Sequence, residues 1–151
     1  MILLLAVISA SAFAMAGQST PAPSAPAPGN CALVVHVTGF RNQKGVAGGT
    51  IFKTPDGWPE NNAKSFMHAP FPITGDHATL TFSLPPGTYG VAVLHDENEN
   101  RKLDRNFMGI PKEGFGFANN PHVGLSAPNW HDAAINVTCP VTEIQIRLIY
   151  K

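Results

Sequence analysis

Short runs of alternating apolar and polar residues dominate the chain. Leu33, Val35 and Val37 interleave with Val34, His36 and Thr38, which predicts a first strand ending at Gly39. Asn42-Gln43-Lys44-Gly45 reads as a turn, and Val46 to Lys53 as a second strand in which Gly48-Gly49 marks a bulge. The turn Thr54 to Pro59 precedes a short helix expected over Glu60 to Phe66, with Pro59 at its first position. Ala69 to Pro72 reads as an irregular edge. Ala78, Leu80, Phe82 and Leu84 share one face of a further strand, and Thr88 to His95 forms the next. Asn106 to Asp132 is long and has little periodicity. Ala133 to Val137 and Thr142 to Tyr150 close the pattern, the latter with Ile144, Ile146, Leu148 and Tyr150 inward. About seven strands without a long amphipathic helix predict an antiparallel β-sandwich with one long irregular loop.

The densest information lies in Leu84 to Asp104. Pro85 and Pro86 cannot donate to a sheet ladder, and Gly87 tolerates positive φ, so the chain turns there. After the following strand, Asp96, Asn98, Asn100 and Asp104 present oxygens in the order used by calcium loops.

Residues 1–16 are an apolar run ending in Ala14-Met15-Ala16, the pattern of a signal peptide with a short hydrophobic region and no preceding Lys or Arg. Residues 17–30 are rich in Pro, Ala and Ser and read as an extended spacer. Residues 31–151 then form one domain. Export to the periplasm or beyond is the expected localisation, with no integral membrane segment after cleavage. Ten basic and ten acidic residues give zero formal charge, which argues against nucleic acid and against an anionic membrane surface as partner. Charged residues make up 13% of the chain while Gly and Pro are abundant, a profile of strands and turns. Cys31 and Cys139 flank the first and last strands, and in an exported chain they are expected to pair; two buried free thiols are the alternative.

Thr79 to Tyr89, with Leu84-Pro85-Pro86-Gly87-Thr88-Tyr89 at its turn, resembles the strand–turn–strand unit of transthyretin-like and carboxypeptidase-regulatory-like sandwich domains. A longer pattern comprises Gly39-Phe40-Arg41-Asn42, Pro55 to Pro59, Leu84 to Tyr89, His95 to Asp104 and Phe107 to Asn120. It resembles a bacterial exported family known as domain of unknown function 2141. The resemblance spans nearly all of Cys31 to Lys151 and implies a secreted immunoglobulin-like or transthyretin-like β-sandwich; it brings no known activity and no established catalytic residues. That family's acidic loop usually carries Gly where this chain has Arg101, a departure that bears on any metal geometry.

Taken as a calcium loop, Asp96, Asn98, Asn100, the Lys102 carbonyl and Asp104 supply the ligands. Arg101 stands where a sharp turn favours glycine, and Phe107 stands where a bidentate carboxylate belongs. Such a site is weak, with a dissociation constant of about 10⁻⁴–10⁻³ M. The competing reading has the same side chains bonding the backbone to shape the loop without metal. In the long segment, Phe115, Phe117, Asn119, Asn120 and Trp130 combine aromatic rings with amides, which suits a peptide or sugar. The alternative is that the rings fold back over one end of the sandwich. His95, His122 and His131 lack the spacing of a transition-metal site. Ser126, His131 and Asp132 lack a nucleophile motif. The sequence therefore predicts an exported noncatalytic module that binds a protein or glycan, with calcium as a candidate ion. A periplasmic metal-assisted hydrolase is the alternative.

Overall fold

The computed structural model describes residues 25–151. The expected signal peptide and the first part of the spacer lie outside the described residues. The end of the spacer is tied to the domain: the Ala27 N–H and the Asn30 side-chain amide both donate to Ser83 Oγ.

Eight strands form two sheets. The first sheet contains β1 (Cys31–Thr38), β4 (His77–Leu84) and β8 (Val141–Arg147) in the order β4-β1-β8. The second contains β2 (Val46–Phe52), β3 (Met67–Phe71), β5 (Gly87–Asp96) and β6 (Phe115–Phe117) in the order β3-β2-β5-β6, and β7 (Ala134–Val137) pairs with β5 beyond β6. All pairings are antiparallel except β1 with β8, which run parallel from Ala32↔Val141 to Thr38↔Arg147. Cys31 and Cys139 are disulfide-bonded at a Cα–Cα distance of 4.6 Å, at the start of that parallel pair.

Strict alternation in β1 and β4 places Leu33, Val35 and Val37 beside Ala78, Leu80, Phe82 and Leu84 on one buried face. Ala47 and Ile51 of β2 and Tyr89, Val91 and Val93 of β5 face them from the other sheet. Burial of each large apolar side chain contributes about 1.5–3 kcal/mol, so this layer dominates the folding free energy. The turn from β4 into β5 is anchored by the Tyr89 hydroxyl, which donates to the Pro85 carbonyl at 2.8 Å. Burial raises the Tyr89 phenol above its ordinary pKa.

Four local expectations are corrected. The register of β2 runs unbroken past Gly48 and Gly49, so there is no bulge. Gly49 instead permits close packing: a Cβ there would lie 2.6 Å from Leu80 and 2.7 Å from Phe82. The helix expected over Glu60 to Phe66 is a single 3-10 turn, Asn62–Lys64, and Met67–Phe71 is a regular edge strand. The segment Asn106 to Asp132 is not wholly irregular. It contains β6, whose three residues are buried on both faces and therefore show no alternation.

Candidate functional site

The outer face of the second sheet carries the site. Register places His68, Thr50, Ala92 and Phe117 in one row across β3, β2, β5 and β6. Pro70, Gly48, Leu94 and Phe115 form the next row. The long segment folds back over part of this face and makes a second apolar cluster from Ala92, Phe115, Phe117, Val123 and Ala133, with Trp58, Leu103 and Ile149 against it. Between this cover, the turn before β3 and the acidic loop remains a cleft of about 360 Å³. Small residues floor it (Gly48, Thr50, Ala92), while Phe115, Phe117 and Leu103 supply an apolar wall. Glu60, Glu99, Arg101, Lys102 and His68 bring charged or titratable groups to the cleft lining.

The cleft thus unites two segments that the sequence singled out separately. Asp96, Lys102, Phe115 and Phe117 line it. Trp130 does not. Its indole is buried, lies against Gly90, and donates from Nε1 to the Phe52 carbonyl at 3.2 Å. Trp58 packs edge-on against Phe52 and donates to the Pro128 carbonyl, pinning the long segment to the sheet. Asn119 and Asn120 also serve the fold. The Asn119 amide donates to the Asp132 and Ala134 carbonyls, and Asn120 both donates to the Gln145 carbonyl and accepts from the Arg147 N–H. The rings of Phe115, Phe117 and Trp130 therefore belong to the fold-back arrangement, with the first two showing one edge to the cleft.

The acidic loop is held by its own side chains. Asp96 is buried, and its two carboxylate oxygens accept the Asn100 and Arg101 N–H groups at 3.0 and 2.7 Å. Asn98 Oδ1 accepts the Asn100 N–H, and Asn100 Oδ1 accepts the Lys102 N–H. Both Asn amides donate to Asp104, at 2.6 and 3.0 Å. The Asn98 and Asn100 amides thus meet at Asp104, while Asn98 Oδ1 and Asp96 Oδ1 share the Asn100 N–H. Arg101 adopts φ +63°, the left-handed turn for which glycine is the usual residue. Among the described residues, no group of three or more His, Cys, Asp or Glu side chains is placed to hold a metal ion.

Glu113, which no sequence motif singles out, braces the acidic loop from outside it. It is 4% exposed, and its carboxylate accepts the Glu97 N–H at 2.9 Å and the Asp104 N–H at 3.1 Å. It therefore joins both ends of the acidic loop. Beneath the loop, His95 is fully buried. Nε2 lies 2.9 Å from the Lys44 carbonyl and so carries a hydrogen, while Nδ1 lies 2.8 Å from the Tyr150 hydroxyl. Tyr150 in turn accepts the Arg41 N–H. Burial pushes the Tyr150 phenol above its ordinary pKa, against the opposing effect of that N–H. Burial works to raise the Glu97 carboxyl, but bonds from Asn42 and Arg41 and the Arg41 charge outweigh it and hold the group below its usual range. His122 and His131 are exposed, whereas His95 is buried. Among the described residues no hydrogen bond joins the exposed side chains of Ser126, His131 and Asp132.

The profile of an uncharacterised protein family conserved in bacteria, domain of unknown function 2141, matches residues 35–145. That is most of the domain, and the chain belongs to this family. Neither a curated protein nor a solved structure matches it.

Proposed function

For a member of this family, we propose an exported, noncatalytic β-sandwich module that holds a protein or glycan partner in the cleft above β2 and β5. The cleft carries the reading. Its volume of about 360 Å³ lies within the usual range for ligand sites, and an apolar wall with polar groups at the edge is the usual composition of such sites. A rigid sheet supplies the floor, so a ligand meets a pre-formed surface. In this reading the acidic loop is a wall of the cleft shaped by its own hydrogen bonds. Calcium has no necessary part in it, because the side-chain oxygens of Asp96, Asn98, Asn100 and Asp104 already accept internal donors. Localisation outside the cytoplasm is supported by the apolar N-terminal run and by the Cys31–Cys139 bond, which persists in oxidising compartments.

Gly48 provides the test. A Cβ at this position would make only ordinary contacts, 3.7 Å from the Leu94 carbonyl and 3.8 Å from its Cβ. Gly48→Val should therefore fill the floor while leaving the fold intact. Purified domain would be incubated with isolated cell-wall polysaccharide and, separately, with solubilised envelope proteins. The wild type should be retained on one of them, and Gly48→Val should be retained at least about tenfold less at an equal melting temperature. Equal retention of the two would remove the cleft from the reading, and no retention on either material would remove the binding function.

A further inference from the structure

The turn Asn106 to Ile110 holds three apolar side chains out in water. Phe107 is 96% exposed and Met108 64%, and Ile110 is also exposed. This display is built rather than loose. Asn106 Oδ1 accepts the Met108 and Ile110 N–H groups, the Asn106 N–H donates to the Ile110 carbonyl, and the Gly109 N–H donates to the Asn106 carbonyl. Arg105 Nη1 donates to the Gly109 carbonyl, and a bridge between Arg105 and Pro111 closes the base. A set of bonds that fixes three neighbouring apolar groups facing solvent singles this turn out as a candidate interaction surface.

Charge around the tip indicates which partner. Residues 101–112 contain four cations, Arg101, Lys102, Arg105 and Lys112, and one carboxylate, Asp104. The Asp104 oxygens are engaged by Asn98 and Asn100. Arg105 pairs with Glu60, whereas Arg101, Lys102 and Lys112 are in no ion pair among the described residues. Glu99 is the exposed, unpaired carboxylate nearest in sequence. The exposed cations Arg105 and Lys112 thus flank the apolar tip in sequence, and the next carboxylate, Glu113, is buried and already accepts two N–H groups.

We propose that the Phe107-Met108-Ile110 tip inserts into the interface of an anionic phospholipid surface, with the neighbouring cations at headgroup level. Apolar area supplies insertion, and basic side chains add attraction that salt weakens. Arg101 and Lys102 also line the cleft, whereas Phe107, Met108, Ile110 and Lys112 do not, and the substitutions that test the tip fall on these four alone.

The chain from residue 17 onward keeps every described residue and omits the apolar run that would itself bind lipid. It would be floated with vesicles of equal parts phosphatidylglycerol and phosphatidylcholine, and with vesicles of phosphatidylcholine alone. The wild type should float with the anionic vesicles, less at high salt, and poorly with the neutral ones. Phe107→Ser combined with Met108→Ser should lower the bound fraction's partition constant about tenfold or more. Ile110→Ser and Lys112→Glu should each lower it several-fold, and Gly48→Val should leave it unchanged. Melting temperatures equal to wild type would verify that the variants fold. The proposal is overturned by absence of flotation, by equal flotation on both vesicle types, or by flotation that the tip substitutions leave intact. Tip-dependent self-association in sedimentation velocity without flotation would also overturn it and assign the tip to a second copy of the chain.

Discussion

Glu113 shows how one buried side chain can hold a surface loop. Its carboxylate accepts the backbone N–H groups of Glu97 and Asp104, which enter and leave the acidic loop. Each donor left without an acceptor in a buried site costs about 1–3 kcal/mol. Glu113→Ala should therefore destabilise the domain by at least about 2 kcal/mol in urea unfolding. Glu113→Gln keeps one acceptor oxygen and should cost less. The same denaturation curves with millimolar calcium and with a chelator should coincide, since the loop's oxygens are engaged internally. An Ala variant as stable as wild type would mean that the loop ends are held by other contacts. A calcium-dependent shift would return the ion to the loop.

At the scale of elements, the turn between β4 and β5 sets the register of the most buried strand. Gly87 adopts φ +156°, inside the region that side chains other than glycine rarely enter. A Cβ there would meet only Tyr89, at 3.6 Å, so space is available and the backbone is the obstacle. Gly87→Val should cost about 1–3 kcal/mol. For a domain of this size, a lowering of the melting temperature by at least a few degrees follows. An unchanged melting temperature would show that the turn relaxes to an ordinary φ at no cost. The short strand β6 teaches the complementary lesson. Phe115, Gly116 and Phe117 are all buried because the first sheet's β8 end lies on one side and the long segment's cluster on the other.

For the whole molecule, the disulfide links the start of β1 to the turn before β8, 108 residues later. In the chain-entropy account, closing a loop of that length restricts the unfolded chain by about 4.7 kcal/mol, and measured losses are commonly about 2–5 kcal/mol. Replacing both cysteines, Cys31→Ala with Cys139→Ala, should lower unfolding free energy within that range. Reduction of the wild type should reproduce the effect. Loss of stability under about 1 kcal/mol would mean that the β1–β8 pairing restrains the ends without the bond.

Alternation alone determined the faces of β1, β4 and β8, because one side of each strand meets the core and the other meets water or a loop. Proline and glycine chemistry placed the β4–β5 turn, and the motifs of residues 39–120 marked the family. Two features of the acidic loop were also legible: its oxygen spacing and the misplaced Arg101. The local curl of the loop decided what those oxygens contact, because Asp96 and Asp104 take donors from residues within the same loop. Tertiary structure decided the fate of the aromatic residues. Trp130 is drawn inside by the Phe52 carbonyl and the absent side chain of Gly90, a pairing across 78 residues in the first case. The parallel β1–β8 pair, the buried β6 and the role of Glu113 have no periodic signature, since each depends on contacts between separate segments. The cleft exists for the same reason: its floor, wall and rim come from five separate stretches that only the folded sheet brings together.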